Sequence, residues 1–88
     1  MRLMVEKKVK VKIVSGLHFR PACKITEVAM TFDSKITMKA GNSESDLKSF
    51  LGVLAAGVKF GDEVVITCDG QDENEAINRI SEFLEFGE

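Results

Sequence analysis

The spacing of the hydrophobic residues changes abruptly between Ile13 and Phe19, and the chain's single proline, Pro21, lies just past the change. Before it, Lys8-Val9-Lys10-Val11-Lys12-Ile13 alternates strictly, as a strand with one face in water does. After it, Ala22, Ile25, Val28 and Ala29 recur at helical spacing from about Phe19 to Met30, with Phe32 just beyond. Ser15-Gly16 breaks the two patterns apart. Proline fits a helix only in its first turn, where its missing N–H costs nothing, so Pro21 pins the helix start close to His18.

The remaining punctuation gives the rest of the order. Asp33-Ser34 ends the helix, and Lys35-Ile36-Thr37-Met38-Lys39-Ala40 alternates as a second strand. Gly41-Asn42 turns into Ser43-Glu44-Ser45, a short polar edge strand. Ser49 to Gly57 reads as a short apolar helix, with Ser49 as N-cap and Gly57 closing it. Gly61-Asp62 is a turn, and Glu63 to Cys68 is a strand with Val64, Ile66 and Cys68 on one face. Past Asp69-Gly70, Asp72 starts a helix with Glu75 as capping-box partner and an apolar stripe of Ala76, Ile77, Ile80, Phe83 and Leu84. The order β-α-β-β-α-β-α in 88 residues is one domain spanning 1–88. It implies a two-layer α+β sandwich, with an antiparallel sheet wet on one face and helix-covered on the other.

A net charge of −2 argues against general nucleic-acid binding. No apolar run reaches the length of a membrane helix and no leader is evident, so membrane insertion is not expected and the cytoplasm is the default compartment. Arg2, Lys7, Lys8, Lys10 and Lys12 crowd the start and seven acids crowd residues 69–88, as a solvated sheet face and an acidic helix do. Cys23 and Cys68 form no disulfide framework and fit no zinc spacing with His18, so both are expected to be core or half-buried, with no metal and no cofactor. The four methionines are expected to fill gaps in the core.

His18 is the only histidine. A lone histidine is ordinarily a surface or capping residue, and Arg20 alone would be a solvated arginine. Placed at a helix N-terminus, however, an imidazole meets unclaimed backbone N–H groups and the positive end of the helix dipole. That setting suits an anion on or beside the ring, and Arg20 adds a second phosphate-binding group. The local chemistry is that of a histidine that carries or contacts a phosphoryl group.

The same residues, Gly16-Leu17-His18-x-Arg20-Pro21-Ala22, closely resemble the active-site signature of the HPr family, the histidine-containing phosphocarriers of the bacterial phosphoenolpyruvate–sugar phosphotransferase system. Leu47-Lys48-Ser49-x-x-Gly52-Val53, with Gly57 beyond, resembles the family's regulatory-serine segment. Gly61-Asp62-Glu63 and Gly70-Gln71-Asp72-Glu73-Asn74-Glu75-Ala76-Ile77 resemble its last strand and helix. The resemblance implies an open-faced four-stranded antiparallel sheet with three helices on one face. It implies that His18 is phosphorylated on Nδ1 by phosphorylated Enzyme I and passes the group to IIA domains of sugar permeases. Arg20 would balance the phosphate's charge, and Phe50, Leu51 and Leu54 would form an apolar docking patch, Phe50 and Leu51 being the exposed pair. Ser49 would be the target of an HPr serine kinase/phosphorylase, as in the Gram-positive branch. Such a carrier is not an enzyme in the turnover sense, and a monomer is the default for one that shows the same face to successive partners.

Three residues depart from the family pattern. Phe19 stands where most members have alanine, beside the reactive nitrogen and within the partner-binding face. Glu27 stands where neutral or basic residues are common, and Asp46 where asparagine is frequent. Phe19 is the feature that favours an alternative, an HPr-like regulatory protein that acts through Ser49 phosphorylation and docks on a transcriptional regulator. A small hydrolase such as an acylphosphatase would need a phosphate-cradling loop with its own Arg and a water-orienting Asn, and Asn42, Asn74 and Asn78 offer no such arrangement.

Overall fold

In the computed structural model, which describes residues 4–87, the first strand begins earlier than the alternation suggests. β1 spans Val5–Lys10. It pairs antiparallel with β4 (Glu63–Asp69), from Val5 opposite Cys68 to Lys10 opposite Glu63. The ladder therefore stops at Lys10, where β4 starts, although Val11 and Ile13 keep the inward phase; Val11 is fully buried and its N–H is taken by the Asp62 carbonyl at 2.8 Å. Arg2 lies outside the described residues.

α1 (Phe19–Met30) and β2 (Lys35–Ala40) have the expected bounds, and β3 (Ser43–Asp46) is indeed an edge. α2 covers Phe50–Ala55 and α3 Glu73–Phe86. The four antiparallel strands run in the order β1-β4-β2-β3. Val9, Val64, Ile66, Cys68, Ile36 and Met38 turn inward and meet Ala22, Ile25 and Ala29 of α1 and Ala76, Ile80 and Leu84 of α3 in one core. On the other sheet face, Glu6, Lys8, Lys10 and Lys39 stand in water. That is the α+β open-faced sandwich expected from the order of elements.

Three expectations fail here. Cys23 is exposed, because position 23 falls on the outer arc of α1 between the buried Ala22 and Ile25; only Cys68 is core. Burial pushes the Cys68 thiol up to about 11, with the Glu73 and Asp72 carboxylates adding to the shift. Met4 and Met30 are exposed and Met38 alone among the described methionines is buried, while Met1 lies outside the described residues. The capping box does not form. Asp72 is the N-cap of α3, but its carboxylate accepts hydrogen bonds from the Asp33 N–H at 2.8 Å, the Ser34 N–H at 2.9 Å and the Ser34 hydroxyl. Glu73 in place of Glu75 reaches back, its Oε1 accepting from the Gly70 N–H at 3.0 Å.

Candidate functional site

The main chain leading into His18 is tied down by its neighbours. Gly16 takes φ +71°, and a Cβ there would lie 2.7 Å from the Val58 carbonyl oxygen and 2.9 Å from the Lys59 Cα. Only glycine satisfies both the left-handed conformation and the close approach. The Gly16 N–H donates to the Ile13 carbonyl at 2.8 Å, the Leu17 N–H to Val58 at 2.9 Å, and the Lys12 N–H to Leu84 at 2.9 Å. Leu17 then plugs into the core. The loop is thus tied to the 58–62 segment and to α3 before the helix begins.

His18 is the N-cap of α1, with extended φ −77° and ψ −169°, and its carbonyl accepts the first helical bond from Ala22 at 2.8 Å. Its imidazole makes no capping hydrogen bond, and His18, Phe19 and Arg20 are all exposed. The N–H groups of Phe19 and Arg20 have no acceptor within the helix, and Pro21 has no N–H to leave over. An anion beside the ring meets these donors and the helix dipole, worth about 0.3–1 kcal/mol at an exposed helix end. The arrangement can hold a phosphoryl group on the ring without moving the backbone.

His18, Phe19 and Leu54 line one open depression of 610 Å³, together with Leu17, Val58 and Lys59. Arg20 instead borders a separate hollow of 150 Å³, with Ile13, Pro21, Lys24, Phe83 and Gly87, where the end of α3 approaches α1. The structure therefore brings the histidine together with Phe19 and Leu54, places Phe50 against Phe19, puts Leu51 outside this depression and leaves the arginine on the neighbouring rim. Leu51 is 73 % exposed, as expected, but Phe50 is half-buried and packed on the core. Its ring also meets the exposed Phe19 ring edge to face, centroids 5.3 Å apart and 81° between planes. Lys59, whose N–H donates to the Asp62 carboxylate at 2.9 Å, was hidden in a stretch that reads only as a turn. No pattern marks it as the cation in the histidine's depression.

Ser49 is exposed at the start of α2, and its Oγ accepts from the Gly52 N–H at 3.1 Å. The Asp46 carboxylate beside it is occupied by the Lys48 N–H at 2.9 Å, and Lys48 Nζ reaches the Phe32 carbonyl at 2.7 Å. Glu27 is exposed on α1, its Oε2 accepting weakly from the Cys23 thiol at 3.9 Å. Among the described residues, no group of three or more His, Cys, Asp or Glu side chains is placed to hold a metal ion. No helix among them is long and apolar enough to cross a membrane.

Comparison with known proteins points the same way. The family profile described as PTS HPr component phosphorylation site matches residues 5–85. The phosphocarrier protein HPr of Mycoplasma capricolum is 40 % identical over 69 residues, 78 % of each chain. The HPr-like protein Crh of Bacillus subtilis is 30 % identical over 93 % of this chain and 96 % of that one. The crystal structure of a phosphocarrier protein HPr from Bacillus anthracis superposes with a TM-score of 0.91 at 28 % identity, covering 93 % of this chain and 98 % of the other.

Proposed function

This chain belongs to the PTS HPr family, and from that membership we propose that it accepts a phosphoryl group on His18 from phosphorylated Enzyme I and passes it to IIA domains of sugar permeases. The observation that carries the reading is an imidazole left in water on a rigid backbone, at a helix end whose own N–H groups lack helical acceptors. In charging, the His18 ring nitrogen, Nδ1 on this reading, forms the bond to phosphorus; in passing the group on, His18 is the donor and the acceptor nitrogen forms it. The bond from phosphorus to the donor nitrogen breaks and its electron pair returns to the donor. The carrier supplies position and charge balance rather than turnover, and is recharged each cycle. Arg20 balances the phosphate's charge once a partner covers the face, by swinging from the hollow it now borders. The apolar residues Phe19, Phe50, Leu51 and Leu54 give a modest patch for brief, weak docking. On this reading the protein works in the cytoplasm and, as a carrier that shows one face to successive partners, as a monomer.

The test is phosphoenolpyruvate-driven labelling through Enzyme I, read by intact mass with His18→Ala as control. One acid-labile phosphate, absent in the variant, is the expected result; a folded protein that takes no label from an active Enzyme I would sink the reading.

A second reading rests on Ser49, and the similarity to Crh favours it. Its hydroxyl is exposed at the N-terminus of α2. A phosphate there adds roughly two negative charges at a position the helix tolerates. It would repel an acidic partner from the adjacent face and slow charging of His18 without refolding. An HPr serine kinase/phosphorylase would supply it, and a transcriptional regulator would read it. Treatment with such a kinase, followed by mapping of the phosphate to Ser49 or elsewhere, decides the point.

A further inference from the structure

Phe19 is a phenyl ring 68 % exposed to water, directly after His18 in sequence. An exposed phenyl does nothing for the core, yet this one is not loose. Its edge-to-face partner Phe50 is itself packed on the core, so the ring is held at one place beside the imidazole. An edge-to-face contact of this kind favours one ring position over a freely rotating one. The ring also lines the same depression as His18 and Leu54. Any protein that brings a reacting group to the imidazole across this depression must accommodate the ring.

From this placement we infer that Phe19 is a specificity-determining residue for transfer at His18, with Phe50 as its positioning residue. The inference rests on the carrier reading above and adds the selection of partners. The phosphoryl donor suited to it is a protein with an apolar recess facing position 19. A donor whose surface is flat or filled there meets the ring as a fixed obstruction, and selection works by that clash as much as by attraction. The fixed ring matters because a mobile one would turn aside and discriminate little.

The experiment compares two phosphorylated donors, Enzyme I from Bacillus subtilis and from Mycoplasma capricolum, with the wild-type chain, Phe19→Ala, Phe50→Leu and Phe50→Tyr. The quantity read is the ratio of kcat/KM for the two donors, which a merely structural role would not move. Phe19→Ala is expected to change that ratio about tenfold, chiefly through KM, with kcat nearly constant. Phe50→Leu should move it the same way by about threefold, and Phe50→Tyr, which keeps the ring, should leave it in place. A ratio unchanged in Phe19→Ala, with label still reaching His18, would overturn this inference alone. No label on His18 in any chain would remove the carrier reading and this inference with it.

Discussion

The two N-terminal caps His18 and Asp72 start the two long helices, and neither bonds to its own helix through its side chain. They differ in what the side chain does instead. The Asp72 carboxylate is consumed by the Asp33 N–H, the Ser34 N–H and the Ser34 hydroxyl, which ties the turn after α1 to the turn before α3. Gly70 closes the same knot, since a Cβ there would lie 2.6 Å from the Ser34 Cα. The His18 imidazole makes no capping bond and stands in water beside Phe19. One end of the molecule uses its polar groups on itself; the other ties down its backbone and leaves His18 and Arg20 in water. Removing a group from the first end should therefore cost stability, and from the second, transfer.

The sharpest way to break that contrast is Gly70→Ala. The added methyl meets the Ser34 Cα and Cβ as well as the Ser34 hydroxyl that bonds Asp72, so a loss of about 3 kcal/mol is expected in urea unfolding. An unchanged midpoint would mean the knot is loose.

Alkylation contrasts the two cysteines. Cys23 is exposed, whereas the Cys68 thiol is buried and pushed up to about 11. At pH 8 the native protein should take up one iodoacetamide, with Cys68 slower by about a hundredfold or more, and two after denaturation. Rapid double labelling of the native state would show the Asp72 end opening.

Ser34→Ala removes one buried hydroxyl bond to Asp72 and should cost about 1 kcal/mol, with His18 labelling unaltered. A loss of labelling would join the two ends that the structure keeps apart.

The smallest effect appears only in acid. The Ser34 hydroxyl, with the Asp33 and Ser34 N–H groups, holds the Asp72 carboxyl below the usual carboxylate range. A lowered native pKa contributes stability that is fully present above the unfolded value of about 3.9 and is lost as pH falls through the native value. Urea midpoints of the wild type should fall below about pH 4 more steeply than those of Asp72→Asn. Parallel curves would show that the carboxylate is not held.

Local patterns carried the His18 end because its signals are local. Gly16, Pro21 and the change of period at residues 13–19 all act within one turn of the chain, and α1 starts where they place it. The order of elements and the inward strand residues were legible for the same reason. The other end was not, because its bonds join residues 38 or 39 apart. Asp69-Gly70 reads as a turn but carries no sign of the close approach to Ser34 that Gly70 permits, and an Asp before an acidic helix reads as a cap whether or not its carboxylate is used elsewhere. Helical spacing within the short α2 does not tell that the Phe50 ring packs on the core and leaves Leu51 as the exposed one.

The most direct test of the contrast is a two-dimensional amide NMR spectrum recorded before and after phosphorylation by Enzyme I. The expected result is a set of shifts at residues 15–22 and 54–59, with Ser34, Gly70 and Asp72 unmoved and the His18 ring signals displaced. Shifts centred on Ser34, Gly70 and Asp72, or a phosphate that leaves the His18 ring signals where they were, would contradict it.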